Sequence, residues 1–328
     1  MNKLQRTKRL LQIAASYWRK KEKLNYLPIR LWIELSSTCN LRCVMCPQSE
    51  SGSIKRGFMK FELFKKIIDE AKNFVYDVNL HHRGESLLHP ELSRMIDYAG
   101  KAGLYTRLHT NATILDEEKA RAILEAELDF LSFSFDGFIA ETYEKIRRGA
   151  NFETTINHIE NFLKLKEKLR KVKPFTVFET MELSEVKTGD YLSAREALRE
   201  KLYSLHLNKF VVKSPHNWAG SYPISSNGAK FSACTFPWYA MVILWNGDIS
   251  PCPQDFFGQL IMGNLRNSSI GAIWRSSVYS KLRKKMQERE IAEFESCRKC
   301  DMLRRRTFLH IPAPNLKIFF KEIFFGHR

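Results

Sequence analysis

The 328-residue sequence predicts an α/β protein built on parallel strands, followed by a smaller C-terminal domain. Three observations predict it. Between Leu31 and about Ser214, short apolar stretches alternate with helical ones, the order that produces βαβ units. Cys39, Cys43 and Cys46 follow the first apolar stretch in the spacing C-x3-C-x2-C. The other four cysteines, Cys234, Cys252, Cys297 and Cys300, all fall in the last third of the chain.

Taken in order, the expected strands are Leu31–Leu35, Val75–Leu80, Leu104–His109, Leu128–Phe135, Phe175–Thr180 and Lys209–Lys213. Helical stretches are expected near 60–73, 90–102, 116–126, 151–171 and 191–205. In parallel α/β folds the site gathers at the C-terminal ends of the strands, so the residues after each strand are the candidates. The segment His216–Gly228, rich in Ser, Pro, Asn and Gly, marks a boundary.

The first strand, L-W-I-E-L, runs straight into the cysteine loop. Three thiolates on one tight loop can hold three corners of a [4Fe–4S] cube and leave the fourth iron without a protein ligand. A zinc loop is the rival reading, but structural zinc takes four protein ligands and no fourth Cys or His lies near this loop. A strand followed by C-x3-C-x2-C resembles the radical S-adenosylmethionine (radical SAM) superfamily. The resemblance implies a partial (β/α)6 radical SAM barrel over residues 29–220. It also implies that the open iron binds the amino and carboxylate groups of SAM. Reductive cleavage of SAM then gives a 5′-deoxyadenosyl radical that takes hydrogen from a substrate, with an electron donor such as flavodoxin or ferredoxin.

Further matches follow along the core. His81-His82-Arg83-Gly84-Glu85 resembles the G-G-E motif that contacts the SAM amino group, with Arg83 in place of the first glycine. A carboxylate can pair with an ammonium, and glycine lets backbone approach a ligand, so Gly84 and Glu85 are assigned to SAM. Thr110 and Asn111 are placed to bond ribose hydroxyls, or else form a plain turn. Ser134-Phe135-Asp136-Gly137 resembles S-x-D-G, which puts Ser134 near SAM, with Arg147 or Arg148 as the carboxylate partner. Glu179, Glu182, Lys213, Ser214 and His216, at or beyond strands five and six, are candidates for substrate contact and proton transfer. Lys213, His216 and Glu179 are the catalytic choices among them.

In the second domain, Tyr239–Leu244 and Ile249–Pro253 flank Asn246-Gly247 and read as a hairpin that brings Cys234 towards Cys252. A helix is expected from about Ser269 to Arg289, before Cys297-Arg298-Lys299-Cys300. Four thiolates fit either a second [4Fe–4S] cluster or tetrahedral zinc. The pattern C-x12-G-x4-C followed by C-x2-C resembles the SPASM type of auxiliary domain, here over 221–311. Without further cysteines it matches the shortened, one-cluster form called twitch. That favours the cluster over zinc. The spacing also resembles twitch-domain dehydrogenases of amino-cyclitols, which implies oxidation of a sugar, cyclitol or polyol-like metabolite with the auxiliary cluster as electron acceptor.

Lys and Arg outnumber Asp and Glu by 53 to 36, an excess that suits an anionic partner, whether a phosphate- or lipid-linked substrate, RNA or a membrane surface. Residues 1–28 hold a basic amphipathic helix, and 312–328 an amphipathic tail with Leu316, Phe319, Phe320, Ile323 and Phe324 on one face. Either end docks on the fold or makes a peripheral membrane contact. The longest apolar run, Tyr239–Leu244, is far short of a membrane span, and an odd number of clustered cysteines points to metal ligation in a reducing, cytoplasmic setting. Peptide maturation and RNA modification are the alternative functions. The first is disfavoured by the short cysteine set, and the second by charge that is spread rather than gathered in an RNA-binding module. A non-catalytic iron–sulfur scaffold would not need Gly84-Glu85.

Overall fold

The computed structural model describes residues 3–49, 54–183, 190–222, 231–304, 307–308 and 311–312. The chain opens with α1 (Lys3–Trp18), then β1 (Arg30–Ile33) and the cysteine loop. There follow α2 (Phe61–Ala71), β2 (Asp77–Asn79), α3 (Leu92–Lys101), β3 (Tyr105–Thr110), α4 (Glu117–Glu125) and β4 (Phe130–Ser134). The core closes with α5 (Ala140–Ile146), α6 (Phe152–Lys168), β5 (Phe175–Met181), α7 (Tyr191–Ser204) and β6 (Lys209–Lys213). All six expected strands and five expected helices are present, within a few residues of their expected ends. The turn of helix α5 was not expected.

β1 to β6 pair in sequence order and always in parallel. Alternation shows in β3, where Thr106, Leu108 and Thr110 are buried while Tyr105, Arg107 and His109 are partly exposed. Caps fix where helices begin: the Asp116 carboxylate accepts from Lys119 N at 2.9 Å, and Asn151 Oδ1 accepts from Thr154 N at 2.9 Å.

After α8 (Phe236–Tyr239), strand β7 (Ala240–Ile243) lies parallel to β1, and the hairpin to β8 (Asp248–Ser250) and β9 (Gly263–Asn264) extends the same sheet to nine strands. Gly247 takes φ +91° in the turn, as an Asn-Gly hairpin needs. The single helix expected over Ser269–Arg289 is instead two, α9 (Ile270–Trp274) and α10 (Ser277–Glu288). Ser276 adopts an extended conformation and caps the second by accepting from Tyr279 N, so it interrupts the run. A short helix, α11 (Glu295–Arg298), holds Cys297.

α1 lies against the fold. Leu10, Ile13 and Tyr17 are buried, Tyr17 OH donates to Ala233 O at 2.7 Å, and Trp238 Nε1 donates to Lys21 O at 2.9 Å. Of the two alternatives for this helix, docking on the fold or meeting a membrane, much of its apolar face takes the first, although Leu4, Leu11 and Trp18 are exposed. Arg283, fully buried, donates to Pro237 O, Glu22 O and Trp274 O, and so joins the segment after α1 to α8 and α9. No helix among the described residues is long and apolar enough to cross a membrane. The tail beyond Pro312 lies outside the described residues.

Candidate active site

The C-terminal ends of the parallel strands surround a cavity of about 260 Å³. Cys39, Cys43 and Cys46 line one side of it. Gly84, Glu85, Thr110, Asn111, Ser134 and Arg147 line it too, as do Glu179 and His216. Lys213 does not reach the wall itself; its ammonium lies 2.6 Å from Glu179 Oε2. Glu182 and Ser214 are not on the wall.

The cysteine loop is strapped down on several sides. Arg42 N and Val44 N donate to Arg148 O and Ile146 O at the end of α5, and Glu85 N donates to Thr38 O, each at 2.9 Å. Gly84 is needed for that last approach. A Cβ there would overlap Ser36 O and sit 2.5 Å from Thr38 O, so the glycine admits the cysteine loop's backbone as well as facing the cavity.

The Glu85 carboxylate is buried. Oε1 accepts from Leu87 N at 3.0 Å and Thr110 Oγ1 at 2.9 Å, and Oε2 accepts from Asn111 N at 2.8 Å. Burial pushes its pKa up while these donors oppose the shift. Thr110 therefore spends its hydroxyl on Glu85 and on Ala112 N rather than facing a ribose. Asn111 Nδ2 donates to Asn40 and lies 3.9 Å from Cys39 Sγ, and Leu41 N lies 3.5 Å from the same sulfur. N–H groups aimed at a ligating sulfur tune a cluster's potential.

Arg147 is buried and its Nη2 donates to Asp136 Oδ2 at 2.6 Å, while Met181 N donates to Asp136 Oδ1 at 2.6 Å. Burial pulls the guanidinium's pKa down, but Asp136 first, then Cys43 and Tyr143, raise it above the ordinary value. Its Nε is buried without a hydrogen-bond partner among the described residues, a donor that an incoming carboxylate would satisfy. Gly137, at φ +96°, lets the turn after β4 pass against the backbone of Tyr143.

Sequence reasoning did not assign Glu34, Arg83 or the aromatic wall. Arg83 forms a bidentate pair with Glu34 (2.5 and 2.7 Å), both buried, and Glu34 Oε2 also accepts from Trp245 N at 3.1 Å. Glu34, held by the residue that stands where the family has glycine, therefore ties the end of β1 to the hairpin turn between β7 and β8. An acid inside the otherwise apolar L-W-I-E-L was the available signal. Trp218 and Phe256 form an edge-on pair 5.4 Å apart on the cavity wall, with the His216 ring 4.2 Å from Trp218.

Cys234, Cys252, Cys297 and Cys300 line a second cavity together with Phe236, Pro237, Pro251, Leu282 and Met286. Burial pushes the Cys297 thiol up, and Cys252, Cys234 and Cys300 add to the shift, which places the four sulfurs in one electrostatic group. At the first loop, burial pushes Cys39 up to about 11 and Cys46 up to about 12. Crowded, buried thiols become stable thiolates when a cationic cluster supplies the opposing charge. Among the described residues no group of three or more His, Cys, Asp or Glu is set to hold a metal ion. Sulfurs ranged around a cavity suit the corners of an iron–sulfur cube rather than one central ion, so both cysteine sets fit [4Fe–4S] clusters.

Residues 33–178 match the radical SAM superfamily, and residues 234–301 match the SPASM iron–sulfur cluster-binding domain. The chain thus carries a radical SAM domain followed by a SPASM domain: it is an oxidoreductase that uses SAM and two [4Fe–4S] clusters. It is similar to the tungsten-containing aldehyde ferredoxin oxidoreductase cofactor-modifying protein of Pyrococcus furiosus, 25% identical over 76% of this chain and 82% of that one. It is also similar to the SAM-dependent 2-deoxy-scyllo-inosamine dehydrogenase of Niallia circulans, 22% identical over 84% of this chain and 93% of the relative. Among solved structures, BtrN in complex with AdoMet and 2-DOIA superposes with a TM-score of 0.57 at 20% identity, covering 84% of this chain and 94% of that one. That last likeness is one of fold.

Proposed function

We propose that the chain oxidises a carbinol of a sugar, cyclitol or other polyol-like metabolite to the ketone, with residues 29–220 as the core and 221–311 as the auxiliary unit. When bound, SAM with its cluster supplies hydrogen-atom abstraction, and the second cluster supplies a one-electron sink. The observation that carries the reading is the all-cysteine site set beside the SAM cavity. β7 pairs with β1, the strand that leads into the first cysteine loop, and Phe256, four residues past Cys252, stands on the cavity wall. Four thiolates leave no iron free for a substrate, so electron transfer is the role that remains for such a cluster.

The chain's own residues divide the rest. Arg147 Nε is the donor for the SAM carboxylate, and Glu85, held rigid by three donors, keeps its remaining lone pairs for the amino group. Trp218 and Phe256 offer apolar faces to a ring, and the Glu179–Lys213 pair offers an acceptor and a donor to its hydroxyls. The chain's basic excess suits a phosphate-bearing substrate and an acidic electron donor of the flavodoxin or ferredoxin kind. The likeness to the Niallia circulans dehydrogenase supports this reading.

Peptide maturation is the second reading, supported by 31% identity over 135 residues to mycofactocin maturase MftC of Mycobacterium tuberculosis, 34% of whose length is aligned. The test is anaerobic turnover with polyols deuterated at the carbinol carbon. Deuterium in 5′-deoxyadenosine together with an equal amount of ketone is the expected result. Its appearance only with a peptide substrate would replace the first reading by the second.

A further inference from the structure

His81 follows β2 and lines the SAM cavity. Its ring lies against that of His109, centroids 4.3 Å apart and planes 34° apart, and its Nδ1 is buried with no hydrogen-bond partner among the described residues. A buried nitrogen left without a partner in a cavity wall calls for an explanation, and a substrate hydroxyl would satisfy it.

The neighbouring carboxylates are already committed. Glu85 accepts three hydrogen bonds, Asp136 accepts from Arg147 and Met181 N, and Glu179 is pinned by Lys213. His81 differs: burial, then the charges of His109, Arg107 and Lys213, keep its ring neutral at pH 7, with a lone pair to offer.

We propose that His81 is the catalytic base that takes the hydroxyl proton as the substrate's carbinol becomes a ketone. The assignment rests on the dehydrogenation reading above. The carbinol carbon gives its hydrogen atom to the adenosyl group, and its O–H bond breaks with the proton passing to His81 Nδ1. The second C–O bond then forms as one electron leaves to a one-electron acceptor of the iron–sulfur class. One hydrogen atom, one proton and one electron are thereby removed, the two-electron oxidation of an alcohol.

The test compares wild type, His81→Ala and the near-isosteric His81→Gln, each with full iron content, on the deuterated substrate. In both variants deuterium still enters 5′-deoxyadenosine, while ketone formed per 5′-deoxyadenosine falls on the order of 100-fold, the usual contribution of a general base. Added imidazole restores ketone in His81→Ala and does nothing for wild type. An unchanged ketone ratio in either variant overturns the assignment. So does parallel loss of deuterium transfer and ketone that imidazole leaves unrepaired. Deuterium transfer absent from wild type itself would instead overturn the dehydrogenation reading, and the role of His81 with it.

Discussion

The two cysteine sites of this protein differ in what surrounds them. Cys39, Cys43 and Cys46 share their cavity with Glu85, Asn111, Arg147, Glu179 and several histidines. Cys234, Cys252, Cys297 and Cys300 are walled mainly by Phe236, Pro237, Pro251, Leu282, Met286 and Leu303, with Gln254, Asp255 and Ser296 as polar neighbours. Three ligands in a polar chamber leave one iron for chemistry, whereas four ligands behind apolar walls leave none. The contrast teaches that ligand count and neighbourhood agree: the site with a missing ligand is also the one with uncommitted donors.

Removing one ligand from each site breaks the comparison most sharply. Cys43→Ala is expected to abolish SAM cleavage and lower the iron content by about four atoms. Cys297→Ala is expected to lower iron similarly yet still cleave SAM, with ketone yield lost. Iron assay and product chromatography on the two purified variants decide it, and identical behaviour would mean that the sites are not specialised.

The next effect concerns the tie between them. Arg83→Met leaves the Glu34 carboxylate buried opposite an apolar chain, a loss of about 3–5 kcal/mol of stability measurable in urea. Loss of less than about 1 kcal/mol would show that water reaches Glu34. Gly84→Ala should cost about 1–3 kcal/mol, because the new methyl meets the backbone of Ser36 and Thr38, which cannot swing aside as a side chain does. SAM affinity measured on the same variant should fall as the cysteine loop is displaced.

The smallest effect is one of pH. Burial, then Lys213 and Arg107, hold His109 down at about 3, whereas an unfolded histidine titrates near 6.5. Its contribution to stability is therefore complete above about pH 6.5 and is lost as pH falls towards 3. His109→Gln should show a flatter decline in urea midpoint between pH 7 and 5 than wild type. Equal slopes would place that histidine in contact with water.

Much of this was legible in the residues. The six strands and both cysteine groups follow from apolar spacing and from the rarity of cysteine, and turn residues such as Asn246-Gly247 mark their own geometry. The break at Ser276 was hidden because serine is tolerated inside helices and declares itself as a cap only through its backbone conformation. The Glu34–Arg83 pair was hidden for another reason. Its members stand 49 positions apart, and only strand order brings them together. Thr110 was read as a ribose contact or a plain turn because position was known and partner was not; in the fold, Glu85 claims its hydroxyl. That His81 Nδ1 and His82 Nε2 are buried without hydrogen-bond partners among the described residues is likewise a property of packing, invisible in H-H-R-G-E.

The central claim, an iron at the Cys39–Cys43–Cys46 site that takes SAM directly, is tested by electron–nuclear double resonance on the reduced protein with SAM labelled at its amino nitrogen and carboxylate. Hyperfine coupling from both groups is expected in wild type and in Cys297→Ala, and none in Cys43→Ala. Coupling that survives Cys43→Ala but vanishes with Cys297→Ala would contradict it.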